Sequence, residues 1–138
     1  MTAIHLAAQD GNPHTAPDAS FETLLTTPPV PDMPSTHSAL GMAAATVLAA
    51  SFGRDEVPFS FASPSAMPGN PVRSFQSFSE AARENADSRV KAGLHFRFAI
   101  DAGIELGRRI GQHVNRNALP RYQPRAAALR AVTRTPRG

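Results

Sequence analysis

Two short stretches of this 138-residue chain carry side chains suited to holding an oxyanion and moving protons around it. The first is Pro34-Ser35-Thr36-His37, at the head of an apolar run. A helix starting there turns its free first-turn amides and positive dipole end toward an anion. Ser35 adds a hydroxyl, Thr36 a backbone N–H, and His37 an imidazole that can act as acid or base near neutral pH. The second stretch is Ser88-Arg89-Val90-Lys91-Ala92-Gly93-Leu94-His95. Arg89 offers a planar fork of donors to an oxyanion. Gly93 lets the backbone turn sharply just before His95. Taken singly, each stretch also has a plain structural reading: a serine N-cap beside an incidental histidine, and a salt-bridged arginine near a capping histidine.

The elements that must position these residues are mostly helical. Residues 37–52 are almost all Ala, Leu, Val, Met or Gly, which predicts a helix buried on every side, with Ser35 as N-cap and Gly53 as its stop. Residues 78–91 predict a second helix, opened by Ser77 and Glu80 at capping-box spacing. Residues 95–115 predict a third. Its face contains Phe96, Ala99, Ile100, Gly103, Ile104, Leu106, Gly107, Ile110, Gly111 and Val114, while Arg97, Asp101, Glu105, Arg108, Arg109 and Gln112 lie opposite. Gly103, Gly107 and Gly111 recur at i,i+4, each at a helix-propensity cost of roughly 1 kcal/mol. That stripe implies a close approach by another helix. Residues 1–34 read as a loop, punctuated by Pro28, Pro29, Pro31 and Pro34, of the kind that is disordered or wraps a site. Phe59–Ala62 and Val72–Phe75 can pair as a small hairpin around a Met67–Asn70 turn. The expected fold class is all-α, a partial helical bundle with long Pro-rich loops and this one hairpin.

Composition removes several function classes. The chain has no Cys, so a thiol nucleophile, a disulfide scaffold and a Cys-ligated zinc are excluded. No apolar run reaches the ~20 residues that span a bilayer, and no signal peptide is apparent at the N-terminus. A soluble chain is expected, its compartment left open. The net charge of +3 is unevenly placed. Residues 1–115 hold 8 basic and 11 acidic side chains, while residues 116–138 hold six arginines and no acid. The division expected is therefore a folded unit over 1–115 and an Arg-rich, disordered tail over 116–138. That tail (Arg116, Arg121, Arg125, Arg130, Arg134, Arg137) supplies a competing reading, a non-enzymatic binding protein, although a single aromatic and no motif argue against a nucleic-acid partner. A shared metal at His37, His95 and His113 is excluded, since His95 and His113 lie roughly 27 Å apart along one helix.

In order and together, P-S-x-H and S-R-x-x-x-G-x-H resemble the second and third motifs of the superfamily of vanadium-dependent haloperoxidases and type 2 phosphatidic acid phosphatases (PAP2). Asp10-Gly11-Asn12-Pro13, Pro28-Pro29-Val30-Pro31, Phe78-Ser79-Glu80-Ala81 and Gly107-Arg108-Arg109-Ile110-Gly111 are similar to the soluble, bacterial haloperoxidase-like branch. The resemblance implies that His95 is the axial ligand of vanadate, or in a phosphatase the nucleophile that takes the phosphoryl group. It implies that His37 is the acid/base group and that Ser35, Thr36 and Arg89 bind the equatorial oxygens. Thr36 stands where the family often has Gly. The implied cofactor is vanadate, the implied partners are hydrogen peroxide and halide, and the alternative activity is that of a soluble acid phosphatase.

The family's first motif, K-x6-R-P, is absent from the chain. The expectation is therefore a C-terminal portion of a longer enzyme with impaired activity. Losing two charge-assisted contacts of roughly 1.5–3 kcal/mol each would weaken anion binding by about two to four orders of magnitude. Apolar surface left uncovered on the 37–52 helix would then favour self-association.

Overall fold

The computed structural model describes residues 2–63, 69 and 72–118. The described residues form four helices and one hairpin: α1 (Thr2–His5), α2 (Thr36–Phe52), β1 (Phe59–Ala62), β2 (Val72–Phe75), α3 (Phe78–Lys91) and α4 (Arg97–Asn117). The expected mostly helical architecture is what forms. One part of the loop reading needs correction, because α1 and a 3-10 turn at Ala7–Gln9 occupy the start of the segment. These residues are largely good helix formers, and Asp10 closes the turn by accepting the Asn12 N–H at 2.7 Å.

The glycine stripe is where the bundle closes. A Cβ on Gly103 would lie 2.5 Å from the Ser35 carbonyl oxygen, and one on Gly111 would lie 2.8 Å from that of Ala43. One on Gly107 would overlap the carbonyl of Ala39. Ser35, Ala39 and Ala43 advance by four residues as Gly103, Gly107 and Gly111 do, so α2 and α4 run parallel with their backbones in contact. α3 must return between them and is antiparallel to both. Its Ala82 lies opposite Gly41, and its Asn85 amide donates to the His37 carbonyl at 3.0 Å.

The other end is held by aromatic packing. β1 and β2 pair antiparallel in the register Phe59↔Phe75 to Ala62↔Val72. Gly69 has φ +92°, and the rest of the predicted Met67–Asn70 turn lies outside the described residues. Phe78 sits 5.4 Å from Phe52 and 5.7 Å from Phe59, ring centre to ring centre, over a core of Met42, Ala45 and Ala82. The α3 cap differs from the predicted box. Ser77 Oγ accepts the Glu80 N–H as expected, but the Glu80 carboxylate returns to the N–H of Gln76. Asp55 adds a second cap by accepting the Ser79 N–H at 3.0 Å.

α2 is not buried on every side as its composition predicts. Ser38, Ala39, Met42 and Ala45 are enclosed, while Leu40 is 67% exposed and Leu48 and Phe52 also face outward. Only α3 and α4 pack along it among the described residues, and two neighbours leave one side of a helix open. On α4 the buried stripe is narrower than the predicted apolar face: Ala99, Ile100, Gly103, Gly107 and Gly111 are covered, but Leu106 and Ile110 are exposed. Arg116 lies in the last turn of α4, and Arg121 to Arg137 lie outside the described residues.

The close approach gives a direct check. Gly107→Ala raises helix propensity by about 1 kcal/mol yet forces a methyl into the Ala39 carbonyl. The expected outcome is net destabilisation of about 1–3 kcal/mol, read as a lower urea midpoint in far-UV circular dichroism. A raised midpoint would show that the two backbones do not meet there.

Candidate functional site

Helix polarity assembles the site. The parallel α2 and α4 place both N-termini at one end of the bundle, and the antiparallel α3 brings its last turn to the same end. Ser35, Thr36 and His37 open α2, Arg89 lies in the last turn of α3, and His95 precedes α4. The turn between α3 and α4 is held by the Arg89 carbonyl, which accepts the Leu94 N–H at 3.0 Å and the His95 N–H at 3.4 Å. Gly93 makes that turn at φ +75°, where a side chain is disfavoured and a Cβ would press on Thr23. α4 starts at Arg97 rather than at the predicted 95, because this turn consumes His95 and leaves Phe96 as the extended N-cap.

Arg89 and His95 lie within electrostatic reach of His37 at this end of the bundle, the two cations acting on its ring. Burial, then the positive charge of Arg89, then that of His95 hold the His37 imidazole below the usual histidine value. His37 is therefore neutral at pH 7 and ready to accept a proton. The Nε of Arg89 is buried without a hydrogen-bond partner. An unsatisfied guanidinium N–H beside two imidazoles and two helix N-termini fits an anion of the oxyanion type.

Ser35 is placed less openly. Its residue is fully buried, its N–H donates to the Ala99 carbonyl at 2.9 Å, and its Oγ accepts the Ser38 hydroxyl at 3.1 Å. It occupies the N-cap position but makes no side-chain cap; its Oγ turns to the Ser38 hydroxyl instead. That leaves the Ser35 O–H as its one donor toward the site. Thr36 is exposed, with its amide in the uncapped first turn of α2.

One residue of the site escapes the sequence motifs. Asp32 Oδ1 lies 2.8 Å from His95 Nδ1 and also accepts the Phe96 N–H at 3.4 Å. The His95 side chain is only 6% exposed. The proline spacing around Asp32 marks a rigid strap that can wrap a site, but nothing in it says which side chain turns inward. On the strap side of His95, a cavity of about 440 Å³ is walled by Ile4, Phe21, Val30, Leu94 and Phe96.

Residues 2–123 match the family described as the VCPO second helical-bundle domain. A solved bacterial vanadium-dependent iodoperoxidase is 40% identical over 83% of this chain, with a TM-score of 0.64. The holo and apo types of a bacterial vanadium-dependent chloroperoxidase share the fold at 24% identity over 68% of the chain, with TM-scores of 0.56 and 0.58. The chain spans about a quarter of the length of these relatives, 25% of the iodoperoxidase and 22% of the chloroperoxidase. No curated protein matches it. Among the described residues no helix is long and apolar enough to cross a membrane.

The His37 environment is measurable. Its folded value lies below its unfolded one, so its contribution to stability is complete above the unfolded value and is lost as pH falls toward the folded one. The ring C–H resonances of His37 should titrate below the usual midpoint of about 6.5. In Arg89→Gln the midpoint should rise while staying below that value, since burial is the larger cause.

Proposed function

Because this chain belongs to the VCPO second helical-bundle family of the vanadium haloperoxidases, we propose that it carries a vanadate-binding half-site for the peroxide-dependent oxidation of halide. The single observation that supports this most is the unpartnered, buried Nε of Arg89 at the end of the bundle where His37 and His95 meet. Vanadate, when bound, supplies a Lewis-acid centre that activates hydrogen peroxide toward halide. His95 would hold it through the ring nitrogen not engaged by Asp32. Arg89, the Ser35 hydroxyl and the Thr36 amide would bind its oxygens.

The chain's own groups then have separate tasks. Arg89 balances the charge of the anion with donors whose burial strengthens each contact. The first-turn amides of α2 add donors that cannot rotate away. His37, kept neutral by burial and by Arg89, takes a proton from hydrogen peroxide on an imidazole nitrogen and can return it to the product hydroxide. Among the described residues, Arg89 is the one fixed cation acting on His37. A multiply charged oxyanion needs more compensation than that, so the 138-residue chain is expected to bind vanadate weakly and to turn over poorly.

Titrating the purified chain with orthovanadate, followed by vanadium-51 NMR, tests the reading. Binding should be detectable, be displaced by inorganic phosphate, and fall at least tenfold in Arg89→Ala, the loss of a charged contact of about 1.5–3 kcal/mol. Equal vanadate binding by a folded Arg89→Ala variant would sink it. Triiodide formation from iodide and peroxide reports turnover in the same samples.

A further inference from the structure

We infer that Asp32 is the positioning residue of the site, locking His95 in the tautomer that carries its proton on Nδ1 and leaves the Nε2 lone pair for the Arg89–His37 side. The inference deepens the vanadate reading, but its central observable does not require any ligand.

The geometry is specific. A carboxylate oxygen only accepts, so the 2.8 Å contact from His95 Nδ1 to Asp32 Oδ1 demands a proton on Nδ1. With that proton in place, a neutral imidazole has its lone pair on Nε2. A free histidine side chain favours the proton on Nε2, so the tautomer is imposed by the fold. The side chain of His95 is 94% enclosed, taking its 6% exposure from the whole, which leaves the ring little room to turn over. The same Asp32 oxygen accepts the Phe96 N–H, at the positive end of α4. Two donors and one dipole therefore hold the carboxylate against the Nδ1 edge of His95.

Asp32 itself is held from both sides. Pro28, Pro29, Pro31 and Pro34 restrict the strap backbone around it. Upstream, the Leu25 N–H donates to the Ala92 carbonyl at 3.3 Å, in the turn that carries His95. Downstream, the Ser35 N–H donates to the Ala99 carbonyl at 2.9 Å. The strap is thus fastened to the α3–α4 turn at one end and to α4 at the other. Lining up a ligating histidine through its second nitrogen is a general route to a directed and more basic ligand. Asp32 touches no reacting atom in this arrangement and acts only through His95.

Nitrogen-15 correlation spectra of the histidine rings test this in the ligand-free chain, recorded near pH 8.5, where imidazoles are neutral. His95 is expected as the Nδ1–H tautomer in the wild-type chain and in Asp32→Asn, whose amide oxygen can still accept. It should revert mainly to Nε2–H in Asp32→Ala. Orthovanadate binding should drop at least tenfold in Asp32→Ala and recover most of the loss in Asp32→Asn. A wild-type Nε2–H signal overturns the assignment, whether or not the alanine variant folds. So does a folded Asp32→Ala with His95 unchanged. A wild-type chain that shows the Nδ1–H tautomer but takes up no vanadate overturns the vanadate reading and leaves the role of Asp32 standing.

Discussion

The contact between the backbones of α2 and α4 is the constraint on which the rest of the structure depends. Glycines at 103, 107 and 111 leave room for the carbonyls of Ser35, Ala39 and Ala43. No other residue type permits that distance, so the loss of helix propensity at three positions is the cost of the contact. The matching four-residue steps also dictate that the helices run parallel. Parallel helices cannot be joined by a short turn, and α3 crosses back between them, assisted by the aromatic cluster at the far end of the bundle.

The site is a consequence of that polarity. Two helix N-termini face the same way, each carrying a partial positive charge and unpaired amides. The helix that runs against them delivers Arg89 from its last turn. Positive potential therefore accumulates at one end before any ligand is considered; burial, then the charges of Arg89 and His95, lower the basicity of His37 there. Among the described residues, Asp32 is the carboxylate hydrogen-bonded to His95, through Nδ1.

The outer surface follows a different rule. α2 has no charged residue at all, which in composition looks like burial on every side. Its neighbours cover one side only, and Leu40, Leu48 and Phe52 remain in contact with solvent. Apolar composition reports how much surface a helix is able to bury, and the number of packed neighbours decides how much of it is buried. The same distinction explains α4, where the covered stripe follows the small residues and excludes Leu106 and Ile110.

Much of this protein was legible in local sequence. Helix bounds near 36, 78 and 91, the stop at Gly53 and both strands follow from caps, glycines and alternation, because these are set by neighbours along the chain. The glycine stripe announced a close helix partner, and the residues the two motifs single out, His37, Arg89 and His95, fall at one end of the bundle. What sequence did not disclose was which helix met the stripe, which group would engage the Ser35 hydroxyl, and which residue would bond the second nitrogen of His95. Ser35 makes no side-chain cap; its Oγ accepts from the Ser38 hydroxyl one turn on, while its N–H goes to α4. Asp32 lies 63 positions from His95, so no periodicity relates them, and only the folding of a proline-stiffened strap over the α3–α4 turn brings carboxylate and imidazole to hydrogen-bonding distance. Local propensity is encoded residue by residue, whereas a directed pair between distant segments exists only once packing has closed the loop between them.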